Sequence, residues 1–216
     1  METLVPARLG TGFRWLLASS WTTNLGDGIA MAAGPLLVAS LTDDAVLVSL
    51  AALLRWAPAL LFGLYSGVLA DRLDRRRILI GANVVRAVVL AVLAAMVITG
   101  SVTTSWALLT LGLLATAEVF ADNTSSTITP MLVRRDDLVV ANARLQTGFI
   151  TLDQLAGPPV GAALFAAGTV WPFVTEGVLV LAGVLMVSRI TLPALDRGTD
   201  APKGLWRETV EGLRWT

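Results

Sequence analysis

Six long apolar runs constrain the fold of this chain more than any other feature of its sequence. A helix needs about 20 residues to cross a hydrocarbon core of about 30 Å, because each residue adds about 1.5 Å. The predicted spans are 15–41, 46–70, 78–99, 106–130, 139–167 and 170–190. Because 55% of the residues are hydrophobic and only 15% are charged, lipid is the expected solvent. The sequence therefore predicts an all-α integral membrane protein with six transmembrane helices.

The distribution of basic residues predicts the orientation of the spans. Lys and Arg resist translocation and collect in short cytoplasmic loops. Arginines lie before span one and after spans two, four and six, whereas the alternate connections near Asp43, Ser101 and Gly168 contain no Lys or Arg. Both termini are therefore predicted to be cytoplasmic in a multi-pass protein of the cell membrane, with 1–14 as the N-terminal segment. The first run is predicted to be a retained span rather than a signal peptide, because it is long and contains Asp27.

The absence of two residue types limits the possible chemistry. The chain contains no Cys and no His, which excludes disulfides, thiolate chemistry and the usual zinc or haem ligands. No cofactor or metal is expected, and any proton handling must use carboxylates. The formal net charge is zero and no basic stripe with interleaved aromatic residues occurs, so a nucleic-acid partner is not expected.

The polar residues are concentrated in two of the six spans. Asn24 and Asp27 lie in span one, and Glu118 and Asp122 lie in span four. Six spans divide naturally into three plus three, the inverted repeat of many secondary transporters, in which spans one and four are equivalent. These two spans are predicted to line a wet cavity, whereas spans three and six are predicted to face lipid.

Ionisable residues inside apolar spans are candidates for function, since each costs about 2.5–3.5 kcal/mol at the bilayer centre if unpaired. Seven lie at least six positions from both ends of a predicted span: Asp27, Arg55, Arg86, Glu118, Asp122, Asp153 and Glu176. By depth, Arg86 lies level with Glu118, and Arg55 lies closer to Asp27 and Asp153, whereas Glu176 is expected at the membrane interface. Five acids against two arginines leave three carboxylates that face water, bind a cationic substrate or hold protons. Structural ion pairing is an equally open interpretation for the arginines.

The loop between spans two and three carries the most specific motif. Gly67 is followed by Asp71 and Arg72, and then by Arg75 and Arg76. This order resembles the loop signature of the major facilitator superfamily. The resemblance implies that the motif is a latch that stabilises one conformation of the protein. A simple basic cytoplasmic loop is the alternative interpretation. Asp74 departs from the family pattern, which usually has Gly at that position.

Two further stretches resemble the enterobactin-exporter and macrolide-efflux branch of that superfamily. The first is Leu25–Gly26–Asp27–Gly28 in span one, and the second runs from Glu118 to Leu145. In the second, Glu118, Asp122, Pro130 and Ala141–Asn142 follow one another as in that branch. The resemblance implies one half of a twelve-helix fold that exports a small organic molecule, such as a drug or siderophore, by alternating access, with proton antiport as the coupling.

A weaker resemblance concerns the fifth span. Gly157, Pro158 and Gly161 resemble the Gly-Pro motif of antiporters. Close helix packing with a kink is the favoured interpretation of these three residues.

The segment 191–216 is predicted to be a cytoplasmic linker that contains an amphipathic helix over 205–215. A seventh span is expected to follow, so the chain is interpreted as the N-terminal half of a transporter whose partner is a C-terminal six-span half or a second copy. Alone, it is expected to insert in the bilayer without transporting. Uptake of a polar solute by proton symport and a non-transporting scaffold or sensor remain alternatives. A six-span serine protease is excluded, because the chain has neither a Gly-x-Ser-x-Gly motif nor a His.

Overall fold

The computed structural model describes residues 7–190, and the side chains of all of these except 7, 64 and 67–72. Helices account for nearly all of this range, so the predicted all-α class is confirmed. The helices are α1 (Gly10–Leu41), α2 (Ala45–Leu54), α3 (Ala57–Arg72), α4 (Arg75–Ile98), α5 (Thr104–Leu132), α6 (Leu138–Gly148), a π-helical segment (Phe149–Ala156), α7 (Gly157–Ala167) and α8 (Trp171–Ser188). The predicted linker and amphipathic helix of 191–216 lie outside the described residues.

Polar residues in the short connections set where several helices begin. The Asp44 carboxylate accepts a hydrogen bond from the Val46 amide at the start of α2, and Thr103 does the same for α5. Asp74 accepts from two amides in the first turn of α4, at 3.0 and 3.2 Å. Asp at position 74 therefore acts as a helix N-cap, which is one of the best roles for this residue type.

Five helical stretches are long and apolar enough to cross a membrane, as judged by length and composition within the described part of the chain. They are Gly10–Leu41, Ala45–Gly63, Arg75–Ile98, Thr104–Leu132 and Trp171–Ser188. The predicted fifth span, 139–167, is helical throughout but is divided into α6, the π-helical segment and α7. Pro158 and Pro159 have no amide hydrogen, so the regular α-helical ladder cannot continue through them, and the Gly157 amide instead bonds to the Leu152 carbonyl.

The helix α1 lies at the centre of the bundle. It packs against α8, α7, the π-helical segment, α2 and α5, while α4 packs against α5 and α8, and α3 against α5. We call the end of the bundle where α1 begins the near end, and the end where α1 finishes the far end. Consecutive spans run in opposite directions, as expected from short connections. The span that ends in α7 runs in the same direction as α1, since Gly148 lies against Trp21 and Gly161 against Ile29.

Buried apolar side chains form two separate layers. The near layer consists of Leu9, Phe13, Leu16, Leu17, Leu79, Ala121, Ile128, Val133, Ala141, Val187 and Ile190. The far layer consists of Ala33, Leu37, Val38, Ala51, Leu90, Leu93, Ala107, Leu114, Phe173 and Val180. Along α1, α4 and α5, the residues between these layers include charged ones. The fold therefore holds a polar layer between two apolar ones.

Candidate functional site

Arg86 of α4 is the largest buried side chain of this polar layer. Its guanidinium pairs with the Asp27 carboxylate of α1 and lies 3.4 Å from Glu176 Oε1 of α8. It also donates to Asn83 Oδ1, one turn earlier on α4, at 3.3 Å. All four side chains are buried. Because desolvating a charge is costly, these partners are what make an arginine acceptable at this depth.

Arg55, in the break between α2 and α3, forms a second group. Its Nη2 atom lies 2.7 Å from Asp153 Oδ1 in the π-helical segment and 3.5 Å from Glu118 Oε1 of α5. Its Nη1 atom donates to the Asp27 carbonyl at 3.3 Å, which joins the two groups through one residue of α1. The guanidinium also lies 5.9 Å from the ring centroid of Trp56, within cation–π range. We call the six charged residues of these two groups the charge layer.

Glycines bring Asp153 against α1. A Cβ on Gly28 would overlap the Asp153 carbonyl oxygen, and a Cβ on Gly157 would lie only 2.5 Å from the Gly28 Cα. A Cβ on Gly161 would overlap the Ile29 carbonyl oxygen. The residues Gly157 and Gly161, on either side of Pro158 in sequence order, therefore lie where two backbones approach closely. This contact fixes the depth at which Asp153 meets Arg55.

The depth argument from the sequence places some of these partners correctly and others incorrectly. Arg55 does contact Asp153, as its depth predicts. Arg86, however, pairs with Asp27 and Glu176 rather than with Glu118. The interfacial position expected for Glu176 is wrong, because its side chain is only 2% exposed. The small Gly26 allows α8 to approach α1 at this level, so that Glu176 is covered by α1 instead of reaching the interface.

Two cavities flank the charge layer. The far cavity has a volume of about 150 Å³ and is lined by Arg55, Glu118 and Glu176 together with apolar residues of α1, α2 and α5. The near cavity is smaller, about 20 Å³, and is lined by Arg86 and Asp122 together with Ser and Thr residues of α1 and α5. Arg86 therefore lines one cavity, while its partner Glu176 lines the other.

The two remaining candidates of the polar spans lie on the near side of the layer. Asn24 is buried and donates to Ser20 Oγ, one turn earlier on α1, at 3.5 Å. Asp122 is exposed toward the near cavity, and its side chain makes no hydrogen bond or ion pair within residues 7–190. Asp122 is thus the carboxylate of this set that is most open to water.

The loop motif lies at the near end. Gly67, Asp71 and Arg72 belong to the last turns of α3, and Arg75 and Arg76 open α4. The Arg75 guanidinium donates to the Thr127 carbonyl of α5 at 3.2 Å and contacts the Met131 sulfur at 3.3 Å. That of Arg76 donates to the Val187 carbonyl at 3.4 Å and to the Ser188 carbonyl, both of α8. These two arginines therefore tie the start of α4 to the ends of α5 and α8.

Asn83 was not predicted from the sequence as a site residue. A signal for it was available, since an Asn three residues before an Arg in an apolar helix lies on the same face of that helix.

Within the described part of the chain, no three His, Cys, Asp or Glu side chains converge to hold a metal ion. Chemically, the charge layer contains groups that can bind cations, exchange protons and exchange ion-pair partners.

The comparison with protein families identifies the class of protein. The transmembrane secretion effector family matches residues 2–216, and the chain belongs to this family of the major facilitator superfamily. The members of the family are efflux-related multi-pass membrane transporters and not enzymes. The predicted membership of this superfamily and of its macrolide-efflux branch is confirmed.

Two curated relatives are similar to this chain. Both are macrolide efflux protein A of Streptococcus pyogenes, one of them from a serotype M6 strain. Each is 27% identical to the chain over 175 residues, which cover 80% of the chain and 43% of the relative. The chain thus matches less than half the length of these relatives.

Proposed function

We propose that residues 7–190 form a six-span bundle, arranged as a three-plus-three inverted repeat, that is one half of a twelve-helix exporter. The bundle exports a small organic molecule by alternating access, in exchange for protons. A second six-span half, from another segment or another copy, provides the opposite face of the substrate site. The start of α1 at Gly10 and the end of α8 at Ser188 both face the cytoplasm.

The observation that carries this proposal is the position of the Arg86–Glu176 pair. Its two members line cavities on opposite sides of one buried layer. A charged side chain that exchanges ion-pair partners across such a layer can open the cavity on one side while it closes the cavity on the other. The layer also contains more carboxylates than arginines, and a carboxylate without an obligatory partner can take up and release a proton.

The efflux direction is supported by the relatives, which are named for macrolide efflux. We therefore choose a macrolide, erythromycin, as the first substrate to test. Inside-out membrane vesicles are prepared from cells that express the protein from its complete reading frame, and an acid interior is generated before labelled erythromycin is added.

We expect saturable accumulation of erythromycin that a protonophore abolishes, because outward pumping in the cell becomes inward pumping in these vesicles. Vesicles from cells without the gene provide the control. Accumulation only in right-side-out vesicles would replace the export proposal with uptake by proton symport. Equal retention with and without the protein would favour a membrane scaffold or sensor.

A further inference from the structure

We propose that the far cavity binds an organic cation, with its positively charged nitrogen between Glu118 and Glu176 and its apolar part among the small residues of α1, α2 and α5. This inference rests on the proposed function and names the substrate class of the site.

The charge pairs within the layer determine which carboxylates are available. Arg86 has Asp27 as its nearest partner, and Arg55 has Asp153 at 2.7 Å. These two pairs use both positive charges of the layer. Glu118 and Glu176 are the more distant partners, at 3.5 and 3.4 Å. Four carboxylates against two guanidinium groups thus leave a formal surplus of two negative charges.

The two surplus carboxylates are also the ones that line the far cavity. Glu118 and Glu176 come from α5 and α8, and both border this space, whereas Asp27 and Asp153 do not. A cation placed between them gains attraction from both in a region of low dielectric constant. The arginine that lines the same cavity, Arg55, already has an acid at hydrogen-bonding distance, which offsets its repulsion of a cation.

Glu176 provides a second and independent observation. Its side chain is only 2% exposed, and its Oε2 atom has no hydrogen-bond partner within residues 7–190. A buried carboxyl oxygen without a partner is costly, so it requires a hydrogen-bond donor or an occupant of opposite charge. A bound ammonium group supplies both.

The remainder of the cavity defines the other part of the ligand. It is lined mainly by Ala30, Met31, Gly34, Leu111 and Leu114, with Trp56 at its border. A volume of about 150 Å³ corresponds to cavities that accept benzene. The geometry therefore fits an amine or quaternary ammonium with one ring-sized apolar group, or that part of a larger amphiphilic cation.

A binding experiment with a matched pair of probes tests this site without any requirement for transport. Benzyltrimethylammonium carries a permanent positive charge, and neopentylbenzene has the same shape with a neutral carbon in place of nitrogen. Each is titrated calorimetrically into the protein in lipid nanodiscs, with empty nanodiscs as the reference. We expect saturable binding of the cation and much weaker binding of the neutral compound. Equal binding of the two would overturn the proposal.

Variants locate the binding to this cavity. We expect Glu176→Gln and Glu118→Gln each to weaken cation binding about tenfold or more, because each removes one of the two facing charges. The matched control is Asp43→Asn, which removes the same charge from an exposed loop at the far end and is expected to change binding less than about twofold. An equal loss of cation binding in Asp43→Asn would indicate general electrostatic attraction of the cation to the protein and would overturn the proposed site.

A steric variant protects the test against misfolding of the charge variants. Ala30→Leu narrows the cavity without removing a charge, and we expect it to abolish binding at an unchanged elution volume on size exclusion. Normal binding by Ala30→Leu would place the cation elsewhere and overturn the proposal.

The cation site and the proposed function can be contradicted separately. Cation binding without export would support the cation site and contradict the proposed function. Export of a neutral substrate without cation binding would support the proposed function and contradict the cation site.

Discussion

Arg86 of α4 and Asp27 of α1 form an ion pair in which both side chains are at most 5% exposed. The pair lies between the near and far apolar layers, and Glu176 of α8 contacts the same guanidinium nitrogen. Three helices are thus joined through one charged group. A shift of α1 relative to α4 or α8 must therefore break or exchange this contact.

Arg86→Met is expected to destabilise the bundle strongly. Removal of the guanidinium leaves Asp27 and Glu176 buried without their main partner, and breaking a buried pair in this way costs about 3–5 kcal/mol. Arg77→Met is the matched control, because the Arg77 side chain is 88% exposed and forms only a 3.5 Å contact with Asp74. Thermal unfolding in detergent, followed by tryptophan fluorescence, measures both. Equal effects of the two substitutions would contradict a structural role for the buried pair.

Gly157→Ala is expected to destabilise the contact between α1 and the start of α7. Its new Cβ would meet the Gly28 backbone at 2.5 Å, and overpacking of this kind costs about 1–3 kcal/mol. Gly81→Ala provides the same change in open space on α4, where helix propensity favours Ala. We expect unfolding temperature to fall for the first variant and to stay level or rise for the second. A tolerated Gly157→Ala would mean that the two helices can separate at little cost.

Single cysteines can test the orientation proposed for the bundle, since the chain has no Cys of its own. Ser101 and Asp136 are exposed in connections at the far and near ends. In intact cells, a membrane-impermeant maleimide is expected to label Ser101→Cys and not Asp136→Cys. After the cells are permeabilised, both variants should react. The reverse pattern would invert the topology that the arginines predict.

Asp71→Asn tests the latch that the loop motif implies. The substitution keeps the side-chain size and removes the charge, so we expect transport to fall by about tenfold or more, equivalent to about 1.4 kcal/mol, with normal abundance in the membrane. Asp74→Asn is the control from the same loop, because Asn remains a good N-cap for α4. If both variants transport normally in vesicles, the motif acts only as a topology signal.

The sequence predicts the helical class and the positions of the apolar runs because both depend on local composition. It does not predict the partners of Arg86, since depth along a helix gives no information about rotation around the helix axis. Asp27 and Glu118 both lie between the two apolar layers, and only the packing of α1 and α4 against α8 and α5 decides which of them the guanidinium reaches.

Glu176 illustrates a second limit of the sequence. Its position five residues after the start of α8 predicts an interfacial side chain, and this prediction fails because Gly26 lets α8 approach α1 closely. The π-helical segment that carries Asp153 was also not predicted. The signal was present in Pro158 and Pro159, which remove two amide donors in succession, but their effect on the preceding turn depends on tertiary packing.

Proton movement driven by a substrate gradient tests the proposed role of the charge layer most directly. The protein, expressed from its complete reading frame, is reconstituted into liposomes that contain a pH-sensitive dye, and an erythromycin gradient is applied. We predict proton movement opposite to the substrate in the wild type and in Asp43→Asn. At least one of Asp27→Asn, Glu118→Gln and Asp122→Asn should abolish it while downhill exchange of erythromycin persists. Proton movement that survives in all three variants would contradict coupling through these carboxylates.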